Sequence, residues 1–478
     1  MSPFDKARYE RLLEGLEAVE IWRSELNAEM RIDAQYFRRR YLQEDACRRH
    51  FENVALDDVA FITDGPHGYH EVDDESPIAM LTAKCAKGWF ADRSEADRIS
   101  AHTHNSNLRS SLKVDDLILS TRGTVGLCAI VERDALPSNI DQDVARIALN
   151  QDAGVKPTFL LAYLNCSFGQ DWMERNCTGM VQQGLSLARV RELPVPLLSD
   201  DVQAAIAKVV ESASYLRRKA KESYESAETA LLRALGLVNW QTPEPLSYVR
   251  SSRDAFSAGR LDAEHFQPRF DRLLEHIEAT GQSYPLADLL TVNQRGKQPD
   301  YGDSGLPVVN SKHVNNGEVR IDADNRFAIV DEKMLLIELG DVLINGTGVG
   351  TIGRAATYLH SVKSVPDNHV TVLRPTRGID PVYLSVFLNS LAGQMQVEQR
   401  LHGSSGQIEL YPNDIAQFSV WLAPATVQTE IRKAVQDSFE KKQQAGKLLE
   451  AAKRAVEIAI EESEAAALEY LADVEGTA

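Results

Sequence analysis

The chain has 478 residues, enough at roughly 100–200 residues per domain for two to four domains with cores of their own. Hydrophobic residues at 43% and charged residues at 26% are ordinary for globular proteins and exclude a dominant disordered or fibrous part. A net charge of −18, from 52 Lys and Arg against 70 Asp and Glu, argues against a chain that grips nucleic acid unaided, although residues 1–30 and 436–478 hold −3 and −5 of it.

The N-terminal residues 1–30 carry charges throughout and read as a helix over 5–28, without the apolar core of a signal peptide. No run approaches the roughly 20 apolar residues of a membrane span, so a cytoplasmic protein with no membrane partner is expected. Residues 31–199 form a first mixed domain. Short apolar runs there, such as Leu117-Ile-Leu and Ala129-Ile-Val, are bounded by turn residues and predict strands, with a helical interlude at 158–176. All five cysteines (Cys47, Cys85, Cys128, Cys166, Cys177) fall here without a C-x-x-C pair, which suits reduced thiols better than disulfides or zinc.

From Ile206 the apolar or small positions 209, 213, 216, 220, 224, 227, 231 and 234 alternate steps of three and four, the seam of one long central helix over 200–236. Residues 237–259, with Gln241-Thr-Pro-Glu-Pro, read as a linker. A second mixed domain spans 260–423, with strands at Val308-Val and Val342-Leu-Ile and a helical interlude at 382–400. A last helix over 424–470 repeats the seam through Val435, Phe439, Ala445, Leu449, Ala452, Val456 and Ala459. Two exposed seams in one chain predict an antiparallel, coiled-coil-like helix pair. The expected fold class is α+β: two homologous mixed α/β domains joined by long helices.

Homology between the domains rests on an internal repeat. Arg31-Ile-Asp-Ala-Gln-Tyr-Phe returns as Arg260-Leu-Asp-Ala-Glu-His-Phe, and Asp116-Leu-Ile-Leu as Asp341-Val-Leu-Ile. Gly123-Thr-Val-Gly matches Gly350-Thr-Ile-Gly, and Gln142-Asp-Val matches Asn368-His-Val. Pro157-x-x-Leu-x-x-x-Leu-Asn and Val202-Gln-x-x-Ile-x-Lys recur from Pro381 and Val427. Matches in one order, at an offset drifting only from 229 to 224, predict a tandem duplication.

Gly348-Val-Gly-Thr-Ile-Gly satisfies a dinucleotide-loop pattern, but its counterpart Arg122-Gly-Thr-Val-Gly keeps two glycines, and too few residues follow before Pro366 for a crossover helix. A glycine-rich turn is the better reading. His67, His70, His102 and His104 with Cys85 could be drawn as a metal site, yet the second domain has no such set. What remains are polar, glycine-flanked loops: Thr63–His70, Ser120–Gly123, Thr178–Gly184, Asn293–Gln298, Asn310–His313, Asn345–Gly348 and His402–Gln407. They offer the side chains that bind phosphates and base edges, and no recurring nucleophile with its base.

In this order, twice over, the landmarks resemble the specificity (S) subunit of type I restriction-modification systems. The likeness runs through Ile62-Thr-Asp-Gly-Pro-His-Gly, Leu193-Pro-Val-Pro and Val420-Trp-Leu-Ala-Pro, and departs where the family often has Glu-Gln and this chain has Val202-Gln and Val427-Gln. The resemblance implies two target-recognition domains, each reading one half of a bipartite, asymmetric site on double-stranded DNA. It implies helices that dock DNA adenine methyltransferase (modification) subunits, and often a restriction subunit. Catalysis and S-adenosylmethionine would belong to the partner, leaving this chain a non-enzymatic phage-defence subunit without a cofactor. A helix of about 35 residues is roughly 50 Å long, against roughly 34–36 Å for a turn of B-DNA, so helix length could set the gap between half-sites. Expected DNA contacts are Lys84, Thr121, Arg122, Gln182, Gln183, Asn310, Ser311, Lys312, Asn345, Ser404, Ser405 and Gln407. The alternatives are the specificity subunit of a related defence or modification system, and a scaffold that binds proteins only.

Overall fold

The structure, a computed structural model, describes residues 17, 19–26, 31–68, 70–94, 96–179, 184–242, 245–321, 325–331, 333–348, 350–403 and 408–477. It divides into two units, one of residues 1–216 with 443–478 and one of residues 217–442. Most of the expected N-terminal helix lies outside the described residues; the part within them holds only a short turn, Arg23–Glu25.

The first unit runs through α1 (Arg39–Arg48), β1 (Asn53–Ala55), β2 (Ala60–Asp64), β3 (Ile78–Leu81), β4 (Asp97–Ile99), β5 (Leu117–Ser120), β6 (Cys128–Ile130), β7 (Ser138–Ile140) and β8 (Val144–Leu149). Then come α2 (Pro157–Asn165), α3 (Ser167–Asn176), β9 (Pro194–Pro196) and the long α4 (Asp200–Leu235). An antiparallel sheet has the order β2-β8-β5-β6, and a second has the order β4-β3-β7 with β3 and β7 parallel. Successive residues of β5 face opposite ways. Leu117 and Leu119 pack with Phe159, Leu160 and Tyr163 of α2, whereas Ile118 packs with Ala79, Leu81 and Ile140 of the other sheet. Covered on both faces, this strand is continuously apolar in sequence instead of alternating.

The second unit repeats the plan. It contains α5 (Pro268–Glu278), β10 (Ser283–Pro285), β11 (Leu290–Arg295), β12 (Leu306–Val309), β13 (Phe327–Ala328), β14 (Val342–Asn345), β15 (Ala355–Thr357), β16 (Val365–Pro366) and β17 (Val370–Pro375). These lead to α6 (Pro381–Asn389), α7 (Leu391–Gln399), β18 (Ser419–Trp421), the long α8 (Ala425–Glu461) and, in the first unit, α9 (Glu464–Thr477). The sheet order β11-β17-β14-β15 matches β2-β8-β5-β6, and β12 pairs in parallel with β16 as β3 does with β7. Val342 and Ile344 join the helix-side core while Leu343 joins the opposite one.

Buried side chains of the repeat landmarks explain why they recur. Asn165, last in Pro157-x-x-Leu-x-x-x-Leu-Asn, donates from Nδ2 to the Cys128 carbonyl at 3.1 Å; Asn389 brackets Ala355 in both directions at 2.6 and 2.8 Å. Asp116 takes the Arg146 Nε at 2.7 Å, and Asp341 takes both Nε and Nη2 of Arg374 at 2.7 and 2.8 Å. Buried ion pairs of this kind are costly to break singly.

Each long helix contributes one part to each unit. In the first, Val202, Ile206, Val209, Val210 and Ala213 of α4 share a core with Ala445, Leu448, Ala452, Val456 and Ala459 of α8. In the second, Ala227, Leu231 and Leu235 of α4 share one with Ile431 and Val435 of α8. The seam therefore closes on Leu235 instead of Ala234, which is exposed. Between α4 and α8 in the second unit, Ser438 donates to the Ala220 carbonyl at 2.6 Å and Ser223 to Asp437 at 2.6 Å.

Three elements differ from expectation. The interludes at 158–176 and 382–400 are each two helices, broken at Cys166 and Ser390. Gly169 and Gly393 permit the turn, because a Cβ there would lie 2.3 Å from the carbonyl oxygens of Tyr163 and Leu388. The C-terminal helix ends at Glu461, short of 470, and α9 follows. The linker holds a helix, Ser252–Ala258, capped by Ser251 Oγ accepting from the Asp254 N–H at 3.1 Å. Among the described residues no helix is long and apolar enough to cross a membrane.

Candidate functional site

Three loops meet at one end of the first unit. Thr121–Leu127 joins β5 to β6, Asp141–Asp143 is the corner between β7 and β8, and Thr178–Gly184 follows α3. Backbone bonds lock them together: Thr121 N–H donates to Asp143 O at 2.8 Å, Leu185 N–H to Thr121 O at 2.9 Å, and Thr178 and Gly184 exchange bonds of 2.9 Å. The second unit reproduces the lock with Gly346, His369, Leu410, His402 and Glu409. Gly346 N–H donates to His369 O at 2.8 Å, Leu410 N–H to Gly346 O at 2.9 Å, and His402 and Glu409 exchange bonds of 2.9 and 2.8 Å.

Around this shared frame the side chains differ. Arg122 stands where Thr347 stands, Asp143 where His369 does, and Thr178 where His402 does. In the first unit the loops line a cleft of about 900 Å³ with Asp64, Thr121, Arg122, Gln142, Asp143, Thr178 and Ser186. Arg122 reaches Asp143 at 3.2 Å with 54% of its side chain exposed. Asp64 takes His67 at 3.0 Å and Arg109 at 3.3 Å. In the second unit Thr347 Oγ1 and His369 Nδ1 are 2.6 Å apart. Arg295 donates to the carbonyls of Gly346 and Leu410 at 3.0 and 2.8 Å. The exposed Arg122 and His369 can trade a protein partner for a base edge or phosphate, whereas Arg295, 20% exposed, braces the frame.

At the corners, Asp141 and Asp367 are equivalent. Asp141 accepts from the Asp143 N–H at 3.0 Å and Asp367 from the His369 N–H at 2.9 Å. Burial pushes both carboxyls up, Asp141 to about 6. Gly65 and Gly296 press against these corners: a Cβ would come within 1.9 Å of Ile140 O and 2.2 Å of Asp367 O.

Of the residues singled out from sequence, Thr121 and Arg122 line the cleft, Thr121 buried with its hydroxyl on Asp143 O at 3.0 Å. Lys84 and Lys312 occupy equivalent exposed positions after β3 and β12, strands whose last carbonyls, Leu81 and Val309, accept the Asp141 and Asp367 N–H groups at 3.1 and 3.0 Å. Asn310 and Ser311 lie in the same turn, half-buried, and Asn310 Oδ1 accepts the Lys312 N–H at 3.2 Å. Asn345 is fully buried: its amide donates to the carbonyls of Ser311, Val314 and Thr351 at 3.0, 3.2 and 3.2 Å, so it braces loops and does not reach solvent. Gln182, Gln183, Ser404, Ser405 and Gln407 lie outside the described residues.

The sequence reading did not nominate Asp64, Arg109, Asp143, Arg295 or His369. For Asp143 and His369 the signal was the landmark pair Gln142-Asp-Val and Asn368-His-Val, where an amide and a valine flank a central residue that changes; Asp64 and Arg295 fall in the polar loops Thr63–His70 and Asn293–Gln298.

The glycines of residues 348–353 form the turn between β14 and β15, with Gly348, Gly350 and Gly353 at φ +105°, +75° and +80°. A strand follows where a dinucleotide loop requires a helix. His104 is held by Asn139 at 2.5 Å and His67 by Asp64, and among the described residues no group of three His, Cys, Asp or Glu could hold a metal ion.

No family profile matches the chain, and no curated protein matches it. Solved structures do. The chain is similar to the type I restriction-modification S subunit from M. genitalium, at 14% identity over 88% of this chain and 96% of that one, with a TM-score of 0.37. It is similar to the HsdS subunit from Thermoanaerobacter tengcongensis, at 17% identity over 88% and 96%, with a TM-score of 0.26. A third likeness is to a chain from a structure on complex assembly and conformational transition of the type I R-M system, at 15% identity over 88% and 97%, with a TM-score of 0.27.

Proposed function

We propose that this chain is the DNA sequence-specificity subunit of a type I restriction-modification complex. One observation carries the reading: the two units hold three loops in the same backbone frame, with different side chains mounted on it at each equivalent place. A duplicated frame with divergent loop residues is what reading two unlike half-sites requires, and it has no use in a structural repeat. Base edges would be read by Arg122 and Asp143 in one unit, residue types that pair with guanine and cytosine edges, and by Thr347 and His369 in the other, while Arg295 braces the frame through the Gly346 and Leu410 carbonyls. Lys84 and Lys312 would contact phosphate.

In this reading α4 and α8 dock the methyltransferase subunits and set the separation of half-sites. The partner supplies S-adenosylmethionine and extrudes the target adenine from the duplex. The acidic total of the chain fits a reader that gains its grip on DNA from that partner. The test is binding of the chain, assembled with its cognate adenine methyltransferase, to duplexes of randomised sequence. Selective, salt-dependent retention of a bipartite sequence is expected. Retention indifferent to base sequence would leave the scaffold reading in its place.

A further inference from the structure

The Arg-x-Asp-Ala motif opens both repeats, and in the second unit Arg260 and Asp262 line a pocket together with His402 of the loop frame. In the second unit, Arg260 grips Asp262 with Nε and Nη2 at 2.8 and 2.6 Å, and the same Nη2 donates to the Leu401 carbonyl at 2.9 Å. Five residues after Arg260, His265 Nδ1 donates to the Gln399 carbonyl at 2.7 Å, and Gln399 Nε2 returns a bond to the His265 carbonyl at 3.4 Å. Both receiving residues stand at the end of α7, next to His402, where the bracketed loop begins.

In the first unit the contact is remade with other side chains. Arg31 grips Asp33 at 2.8 Å and lies 4.3 Å over the ring of Tyr36, the counterpart of His265. Arg175, the counterpart of Gln399, lies 4.1 Å from the centroid of the same Tyr36 ring and donates from Nε to the Tyr36 carbonyl at 2.8 Å. It is 9% exposed and also holds Asp45 at 2.6 Å. Arg175 lies in the last turn of α3, three residues before Thr178.

We infer that the Arg-x-Asp-Ala elements are positioning struts: each fixes the end of the helix that leads into its unit's bracket, the exchanged pair Thr178 and Gly184 or His402 and Glu409, and so holds that bracket in the loop frame. Two unlike sets of side chains preserve one contact, between positions 36 and 175 and between 265 and 399. That is the mark of a geometry worth keeping, because a forked Arg–carboxylate clamp fixes direction as well as distance. The part of this inference that concerns recognition rests on the proposed reading of DNA; the part that concerns the loops does not.

Amide hydrogen exchange on the full chain tests the strut. Arg260→Ala is expected to speed exchange of the His402 and Glu409 amides roughly tenfold or more while leaving those of Thr178 and Gly184 unchanged. Tyr36→Ala is expected to do the reverse. Arg260→Lys, which keeps a donor toward Leu401 but cannot fork onto Asp262, should fall between. With the methyltransferase present, Arg260→Ala should lower base discrimination at one half-site about ten- to hundredfold and leave the other intact. Unchanged exchange in both alanine variants overturns the strut, as does exchange that rises evenly across a whole unit. Altered exchange in the alanine variants, together with a wild-type complex that shows no base preference, would retain the strut and remove the DNA reading.

Discussion

Asp141 lies at the corner that takes the Gly65 and Thr121 amides, and its protonation bears on stability. The carboxyl titrates near 6 in the folded chain because burial disfavours its charged form, against 3.8 when unfolded. The native state therefore binds the extra proton between those values, and stability from this group is present below about 3.8 and lost as pH rises through about 6. Asp141→Asn keeps an acceptor for the Asp143 N–H and removes the titration. The melting temperature of the variant relative to wild type should rise between pH 4 and pH 7; an equal difference at both would show that the corner is not the cause. Arg122→Ala concerns recognition instead. Its pair with Asp143 is largely exposed and worth about 0–1 kcal/mol, so the fold should barely change. Loss of a base contact would cost about 1–3 kcal/mol, read as a ten- to hundredfold weaker gel shift of the assembled complex on its full site. Residue types alone could not tell Arg122 from Asn345: both are polar and glycine-flanked, but only burial shows that the asparagine's donors are spent on backbone carbonyls.

At the level of elements, the recurring Val-Gln at the start of each long helix has a structural cause. Gln203 takes the Lys156 N–H at 2.8 Å and donates to the carbonyls of Gly154 and Leu198 at 3.0 and 2.9 Å. Gln428 takes the Asp380 N–H at 2.8 Å and donates to Ala423 O at 2.8 Å. Each glutamine ties the loop entering α2 or α6 to the first turn of the long helix. Gln203→Leu and Gln428→Leu strand those buried groups and should each cost about 1–3 kcal/mol in urea unfolding. A cost below ~0.5 kcal/mol would mean water replaces the side chain. The helical seams were legible because their three-and-four spacing admits no strand. The breaks at Cys166 and Ser390 were not, since neither is glycine or proline; the matched Gly169 and Gly393 were the clue, each three residues downstream. Strand runs were readable because burial on both faces keeps them apolar, whereas the loop frame is built from backbone bonds that leave no compositional trace.

Across the whole molecule, the repeat was the most informative signal, because a matched landmark names a place in two structures at once. It could not show how the units share out the chain. The first unit draws Ala445, Leu448, Ala452, Val456, Ala459 and Leu471 into its core. A chain ending at Lys442 should therefore lose exchange protection and protease resistance over residues 31–216 while 217–442 remain protected. Protection retained over 31–216 would show that the helical segment only caps that core.

The same division of the sequence has a consequence for biosynthesis. A ribosome delivers the larger, opening part of the first unit early and its closing helices only after all of the second. The apolar side of Val202, Ile206 and Val209 must wait through more than two hundred codons before its own partner emerges. The unit begun first is the one completed last, and nascent chains in that interval are the natural clients of a chaperone.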